Sequence, residues 1–171
     1  MLYLISLGSN VGDRLHNMRS AVAGVRNFSK ILDISSLYES KALLPPGAPK
    51  SWNIDYLNSV LSCASDLEPH DFLSNIREIE CEMGRGNERK KWSPRIIDID
   101  ILMCSNCIIS DDLLQIPHPY MHERPFIIIP ASEIAPNLIH PILNVTLSSL
   151  QYSIKSDNNP KIITDNCWYR L

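Results

Sequence analysis

Two kinds of charge follow one another between Gly84 and Met103, where the chain reads GRGNERKKWSPRIIDIDILM. Arg85, Arg89, Lys90, Lys91 and Arg95, interrupted only by Glu88, precede Asp98 and Asp100. From Ile96 the residues alternate as a strand does, with Ile97, Ile99, Ile101 and Met103 on one face and Ile96, Asp98, Asp100 and Leu102 on the other. The two carboxylates therefore share a face. At about 3.3 Å rise per residue their Cβ atoms stand roughly 6 to 7 Å apart, close enough to grip one hard cation or a close pair. Taken alone, an Asp-x-Asp strand describes a solvated edge, and a basic loop describes a wet surface. Side by side they supply what a polyphosphate requires, cations on one flank and carboxylate-held Mg²⁺ on the other.

The elements that position these residues follow from the apolar pattern. Met1 to Leu7 reads as a buried strand ending in the turn Gly8 to Gly12, which lacks the Lys-Ser/Thr of a phosphate loop. Leu15, Met18, Val22 and Val25 trace a helix from Gly12-Asp13 to about Asn27. Ile31 to Tyr38 alternates as a second strand, with Leu32, Ile34 and Ser36 on one side. Ser40 to Asp55 holds Pro45, Pro46, Gly47 and Pro49, so it is a long loop of the kind that serves as a lid. Tyr56 to Ala64 forms a third strand paired with the second, and Tyr56, Asn58 and Val60 share a face. Taken alone, Tyr56 suits core packing. Pro69 opens a second helix whose stripe is Phe72, Leu73, Ile76, Ile79 and Met83, ended by Gly84. Glu80 lies on the inward flank of that stripe and needs a partner, either a nearby arginine or a substrate.

Strand, helix, strand, strand, helix, strand is the order of an α+β, ferredoxin-like βαββαβ core, an antiparallel sheet with two helices on one face. The pattern leaves the other face free, where Tyr56, Asn58, Asp98 and Asp100 can meet. C-terminal additions include a short helix near Pro125 to Glu133 and another at Val145 to Tyr152. One domain over residues 1–152 is expected, with 153–171 a loosely held tail apart from Lys161 to Thr164.

Composition narrows the class. The 171 residues are 44% hydrophobic and 20% charged, with a formal net charge of −3, which argues against a general nucleic-acid binder. No apolar run reaches the roughly 18 residues of a membrane span, and Met1 to Leu7 is short for a signal peptide, so a cytoplasmic protein is expected. Five cysteines without regular spacing make no disulfide framework. Cys104-Ser-Asn-Cys107 reads as a hairpin turn. His118 and His122 stand four apart, but Pro117 and Pro119 preclude a regular helix through both.

Six pieces in order resemble the 6-hydroxymethyl-7,8-dihydropterin pyrophosphokinases. They are Leu7-Gly-Ser-Asn10, Tyr56-Leu-Asn58, Glu80 with Gly84-Arg85, Pro94-Arg95-Ile-Ile-Asp98-Ile-Asp100-Ile-Leu102, Pro117-His118-Pro119 with Arg124-x-Phe126, and Glu133-Ile-Ala-Pro136. The likeness runs from Met1 to about Pro141. It implies pyrophosphate transfer from ATP to the hydroxymethyl group of a reduced pterin, with release of AMP, in folate biosynthesis. It further implies that Asp98 and Asp100 bind two Mg²⁺ ions, and that Arg85 and Arg95 clamp the triphosphate. Glu80, His118, Tyr120 and Arg124 would serve the nucleotide. Tyr56 and Phe126 would sandwich the pterin, with Asn58 and groups from Ser40 to Leu43 reading its edge. Trp92 would ride on a basic loop closing over the site. No general base is marked, and a monomer is expected.

Asn87, Ser93, Lys41-Ala42 and Tyr120 depart from the family's common pattern and bear on loop geometry and ATP affinity. Two other readings remain. One is a binding module like an RNA-recognition domain, which would carry aromatics where this chain has aspartates. The other is a different Mg-dependent kinase or nucleotidyltransferase, distinguished by its leaving group.

Overall fold

β1 (Leu2–Ser9) runs through the middle of an antiparallel sheet, paired with β4 (Tyr56–Ala64) on one side and β5 (Asp98–Cys104) on the other. The computed structural model describes residues 1–84, 92–105, 107–154 and 159–170. Arg85, Asn87, Arg89, Lys90 and Lys91 lie outside them. After β1 comes α1 (Arg14–Val25), whose first turn is capped by Asp13 accepting the His16 N–H at 3.0 Å. β2 (Lys30–Ile34) and β3 (Leu37–Ser40) both pair with β4, and α2 (Pro69–Glu82) leads back toward β5. The sheet order β3-β4-β1-β5 and this element order make the fold ferredoxin-like α+β, as the pattern implies.

α1 and α2 cover one sheet face. Tyr3, Ile5 and Leu7 pack there with Met18, Val22 and Ile76, and the Tyr3 ring stacks on Phe72 with centroids 3.9 Å apart. The helices meet closely at Gly24, where a Cβ would lie 3.0 Å from the Ile79 side chain. Beyond β5 follow the hairpin of β6 (Ile109–Ser110) and β7 (Gln115–Ile116), a 3-10 turn at Met121–Glu123 and α3 (Pro125–Ile134). A second hairpin of β8 (Ile139–His140) and β9 (Val145–Thr146), then α4 (Leu147–Ser153) and β10 (Lys161–Thr164), complete the described elements.

The opposite sheet face is not free, contrary to expectation. α3 and α4 cover part of it, burying Leu4, Val60, Leu102 and Met103 against Ile127, Ile128, Ala131, Leu147 and Leu150. Leu4 and Val60 are apolar on that side and require such a cover, at about 25 cal/mol per Å² of apolar surface removed from water. Met103 is also on the wrong face in the sequence reading. Ile5 pairs with Ile101 but Leu4 with Met103, so Leu102 is an extra residue, a β-bulge that turns Met103 to join Leu102 on the α3 side.

The expected second strand is two strands, broken at Ser35 and Ser36. A register shift between Ile31 and Asp33 leaves Leu32 50% exposed instead of facing inward with Ile34. At the break, Ser35 Oγ accepts the Val60 N–H at 3.0 Å, and the Glu133 carboxylate of α3 accepts from Ser36 N–H, Ser36 Oγ–H and Tyr38 O–H at 2.8 to 3.1 Å. Glu133 thus ties α3 to β3. Within the described part of the tail, β10 coincides with Lys161 to Thr164 and extends the sheet beyond β3, and the buried Trp168, which the sequence reading did not mark, donates its indole N–H to the Ser35 carbonyl at 3.0 Å. The five cysteines are free thiols, and Cys107 N–H closes a turn onto the Cys104 carbonyl at 2.8 Å. No helix among the described residues is long and apolar enough to cross a membrane.

Candidate active site

Two rows of residues cross the sheet toward its uncovered end, the second running under the edge of α3 at Val60. Register places Asn58, Gly8 and Asp98 side by side across β4, β1 and β5, and Val60, Ser6 and Asp100 in the next row on that face. A cleft of about 1240 Å³ opens above them, walled by the 40–55 loop, the Trp92–Arg95 segment and the start of α3. Every candidate site residue among the described ones lines it, from Ser40 and Leu43 to Arg124 and Phe126. Arg85 lies outside the described residues.

The acidic half is built on β5. Asp98 is paired with Arg95, Oδ1 to Nη1 at 2.5 Å. Asp100 has its carboxyl pushed up to about 7, first by burial and then by the charge of Asp98, with Arg124 and Arg95 pulling the other way. Glu80, 2% exposed on α2, accepts the Ile99 N–H at 2.9 Å. This backbone partner was not among those anticipated. It arises because β5 is a sheet edge and its outward amide needs an acceptor.

The far wall comes from the segment after β7. His118 N–H donates to the Leu102 carbonyl at 2.8 Å, and its Nδ1 accepts the Tyr120 N–H at 3.2 Å, so Nε2 carries the ring proton. Burial and Arg124 push its pKa down to about 4, keeping the ring neutral. The Arg124 guanidinium lies 5.3 Å from the Tyr120 ring centroid and 6.0 Å from that of Phe126, within cation-π range. Opposite, Tyr56 keeps its proton because burial pushes its pKa up. Asn58 donates from Nδ2 to Ser40 Oγ at 2.9 Å, which leaves its Oδ1 over Gly8.

Asn10 has a role that its residue type alone does not reveal. Buried at the end of β1, it accepts the Arg95 N–H on Oδ1 at 2.8 Å and donates from Nδ2 to the Ile54 carbonyl at 3.3 Å. It therefore joins the bases of both loops that wall the cleft. Lys41, Leu44, Trp52, Arg77 and Glu123 also line the cleft. Lys41 is held by Asp55 at 2.8 Å, closing the 40–55 loop at its foot. Lys41, Leu44 and Trp52 belong to the loop expected to serve as a lid, whereas Arg77 and Glu123 carry no local mark in the sequence.

A family model described as 7,8-dihydro-6-hydroxymethylpterin-pyrophosphokinase matches residues 4–136. A 2-amino-4-hydroxy-6-hydroxymethyldihydropteridine pyrophosphokinase of Aquifex aeolicus is 42% identical over 147 residues, which are 86% of this chain and 88% of that one. A protein of the same name from Haemophilus influenzae is 37% identical over 139 residues, 80% and 83% of the two chains. In fold the chain is similar to a Plasmodium falciparum HPPK-DHPS crystallised with pterin and p-hydrobenzoate, at a TM-score of 0.64 and 17% identity, covering 88% of this chain but 44% of that longer one. The chain belongs to the 7,8-dihydro-6-hydroxymethylpterin-pyrophosphokinase family.

Proposed function

We propose that the cleft holds ATP and 6-hydroxymethyl-7,8-dihydropterin side by side and passes the terminal pyrophosphoryl group to the hydroxymethyl oxygen, releasing AMP. Family membership makes the chain a pyrophosphokinase of folate biosynthesis acting on that pterin; the donor, the leaving group and the residue roles are the proposal. It is carried by the row Asn58, Gly8, Asp98, which sets a hydrogen-bonding floor for a flat ring beside carboxylates suited to a cation.

The donor set fits Mg²⁺. Asp98 and Asp100 offer hard oxygens, and the raised pKa of Asp100 marks a carboxylate that gains from a nearby cation. Among the described residues no group of three or more metal-ligating side chains occurs, so phosphate oxygens and water would complete the coordination. Bound there, the metal would supply positive charge to the β- and γ-phosphate oxygens. Arg95, beside Asp98, would add charge to the same oxygens. Neutral His118 would donate from Nε2, and Arg124 with Tyr120 would flank the nucleotide. A smaller recess of about 350 Å³, sharing Arg77, Glu80, Asp100 and His118 with the cleft, adds Leu73 and Leu114 as apolar surface and Asp111, Asp112 and Gln115 as polar groups, and would take the hydrogen-bonding edge of the base.

Tyr56 and Phe126 offer rings for stacking the pterin, and Asn58 Oδ1 accepts from its edge. The substrate hydroxyl then attacks the β-phosphorus in line as the bond to the α-phosphate oxygen breaks, so the protein mainly positions reactants and neutralises charge. The test is incubation with ATP and Mg²⁺, with and without the pterin. AMP released only when the pterin is present is the expected result; ADP or free pyrophosphate as product would overturn the proposal.

Asn10→Ala removes the shared tie of the two loops while keeping the backbone bond from its own N–H to the Arg95 carbonyl. It is expected to lower kcat/KM for both substrates by about tenfold, since small misplacements are costly in a reaction that depends on positioning. Steady-state kinetics with a circular-dichroism check of folding measure this. An unchanged kcat/KM would remove the role.

A further inference from the structure

The buried polar side-chain atoms without a hydrogen-bond partner among the described residues are His122 Nδ1, Arg124 Nε and His140 Nε2, and they fall on two segments that touch. His140 ends β8, outside the cleft, and is 3% exposed. Its Nδ1 accepts the Ile142 and Leu143 N–H groups at 3.3 and 3.2 Å. That fixes the neutral tautomer with the proton on Nε2 and leaves no lone pair there for a metal ion. The ring meets His122 nearly edge on, with centroids 6.0 Å apart and planes at 81°. His122 Nε2 faces the Glu123 carboxylate at 3.6 Å, which favours the proton on that nitrogen and makes Nδ1 an acceptor. The two rings therefore meet by edge-on packing, since neither His140 Nε2 nor His122 Nδ1 has a hydrogen-bond partner among the described residues.

The turn that carries His122 is closed by its own backbone, with Met121 N–H donating to the His118 carbonyl at 3.1 Å and Glu123 N–H to the Tyr120 carbonyl at 3.3 Å, and the His122 ring leans from it against His140. Met121 is buried beneath it, and Arg124 closes it as the first carbonyl of α3, accepting from Ile127 and Ile128 at 3.0 Å. Tyr120 and Arg124, at its two ends, face the cleft. We propose that His140 is a positioning residue for the nucleotide end of the site, setting through His122 the turn that presents Arg124 and Tyr120. This rests on the assignment of Arg124 to ATP.

Substitution separates this role from a merely structural one. His140→Asn keeps a short acceptor for the Ile142 and Leu143 amides but ends before the Nε2–H. It is expected to raise the KM for ATP about fivefold, the scale of one lost edge-on ring contact, with kcat and pterin affinity nearly unchanged. His140→Gln, whose amide reaches about as far as the lost ring edge, is expected to recover most of that loss, and adding His122→Ala to His140→Asn to produce no further loss. A normal KM for ATP in His140→Asn overturns the proposal. So does an equal loss of ATP affinity, pterin affinity and melting temperature, which would mark a packing role only. Arg124→Ala serves as control: unchanged ATP binding there would remove the nucleotide assignment itself, and the positioning role with it.

Discussion

Asp100→Asn is expected to lower turnover by about 10²- to 10³-fold or more while raising the melting temperature of the metal-free protein at about pH 8. Both follow from one environment. Burial, reinforced by Asp98, pushes the Asp100 carboxyl from 3.8 to about 7. A carboxyl raised in the folded state keeps its proton after the unfolded chain has released its own. Ionisation then costs the native state stability, increasingly from about 3.8 to about 7, and the whole cost is present above that range. An amide carries no such cost. Its stability advantage is therefore expected to be full above about pH 7, to shrink as pH falls through the window and to vanish below 3.8. Mg²⁺ is expected to stabilise the wild type and not the variant, and to bind the wild type more weakly below about pH 7, where it competes with the proton. Thermal melts in chelator and in Mg²⁺, beside AMP release, measure all of this. Near-normal turnover would take Asp100 out of the chemistry, and the absence of any gain at about pH 8 would refute the electrostatic account.

Arg95→Ala is expected to reduce kcat by about 10²- to 10³-fold with little change in pterin affinity. The guanidinium is already directed at Asp98, next to the place where phosphate charge would develop, and Asn10 holds Arg95 by its backbone. Substitution therefore removes the charge without releasing the chain. Arg95→Lys is expected to recover only part of the loss, because an ammonium lacks the planar fork that engages two oxygens at once. Rapid-quench measurement of a single turnover, with pterin binding measured separately, distinguishes these effects. A defect confined to pterin binding would contradict the assignment to the triphosphate.

The fold was legible wherever local chemistry decides it. The bounds Tyr56–Ala64 of β4 follow from alternation after a proline-rich loop, and Pro69 and Pro125 mark helix starts because the ring fits a first turn. Asp98 and Asp100 share a face because β5 is regular as far as Ile101. The bulge at Leu102 was not legible, since an extra apolar residue between apolar residues disturbs no visible pattern. The cover of α3 over the second sheet face could have been suspected from Leu4 and Val60, but which helix supplies it is a long-range matter. Trp168 looks like an ordinary aromatic in a polar tail, and its indole finds Ser35 only because β2 and β3 break there. The cleft gathers its candidate residues, yet the clamp at Asn10 and the backbone partner of Glu80 depend on strands and loops that sequence alone does not bring together.

The row Asn58, Gly8, Asp98 gives the cleft a fixed gauge. Two interstrand spacings, about 9.5 to 10 Å, separate its outer members, and the hydrogen-bond ladder of β4, β1 and β5 does not stretch. A shift of the walls above would not alter that interval. On the proposed assignment, a ring seated at Asn58 and a phosphate chain held near Asp98 meet at a distance ruled by backbone alone. The one-carbon arm of the alcohol then becomes a matter of measurement. A longer arm would deliver its oxygen past a phosphorus that has no reason to move.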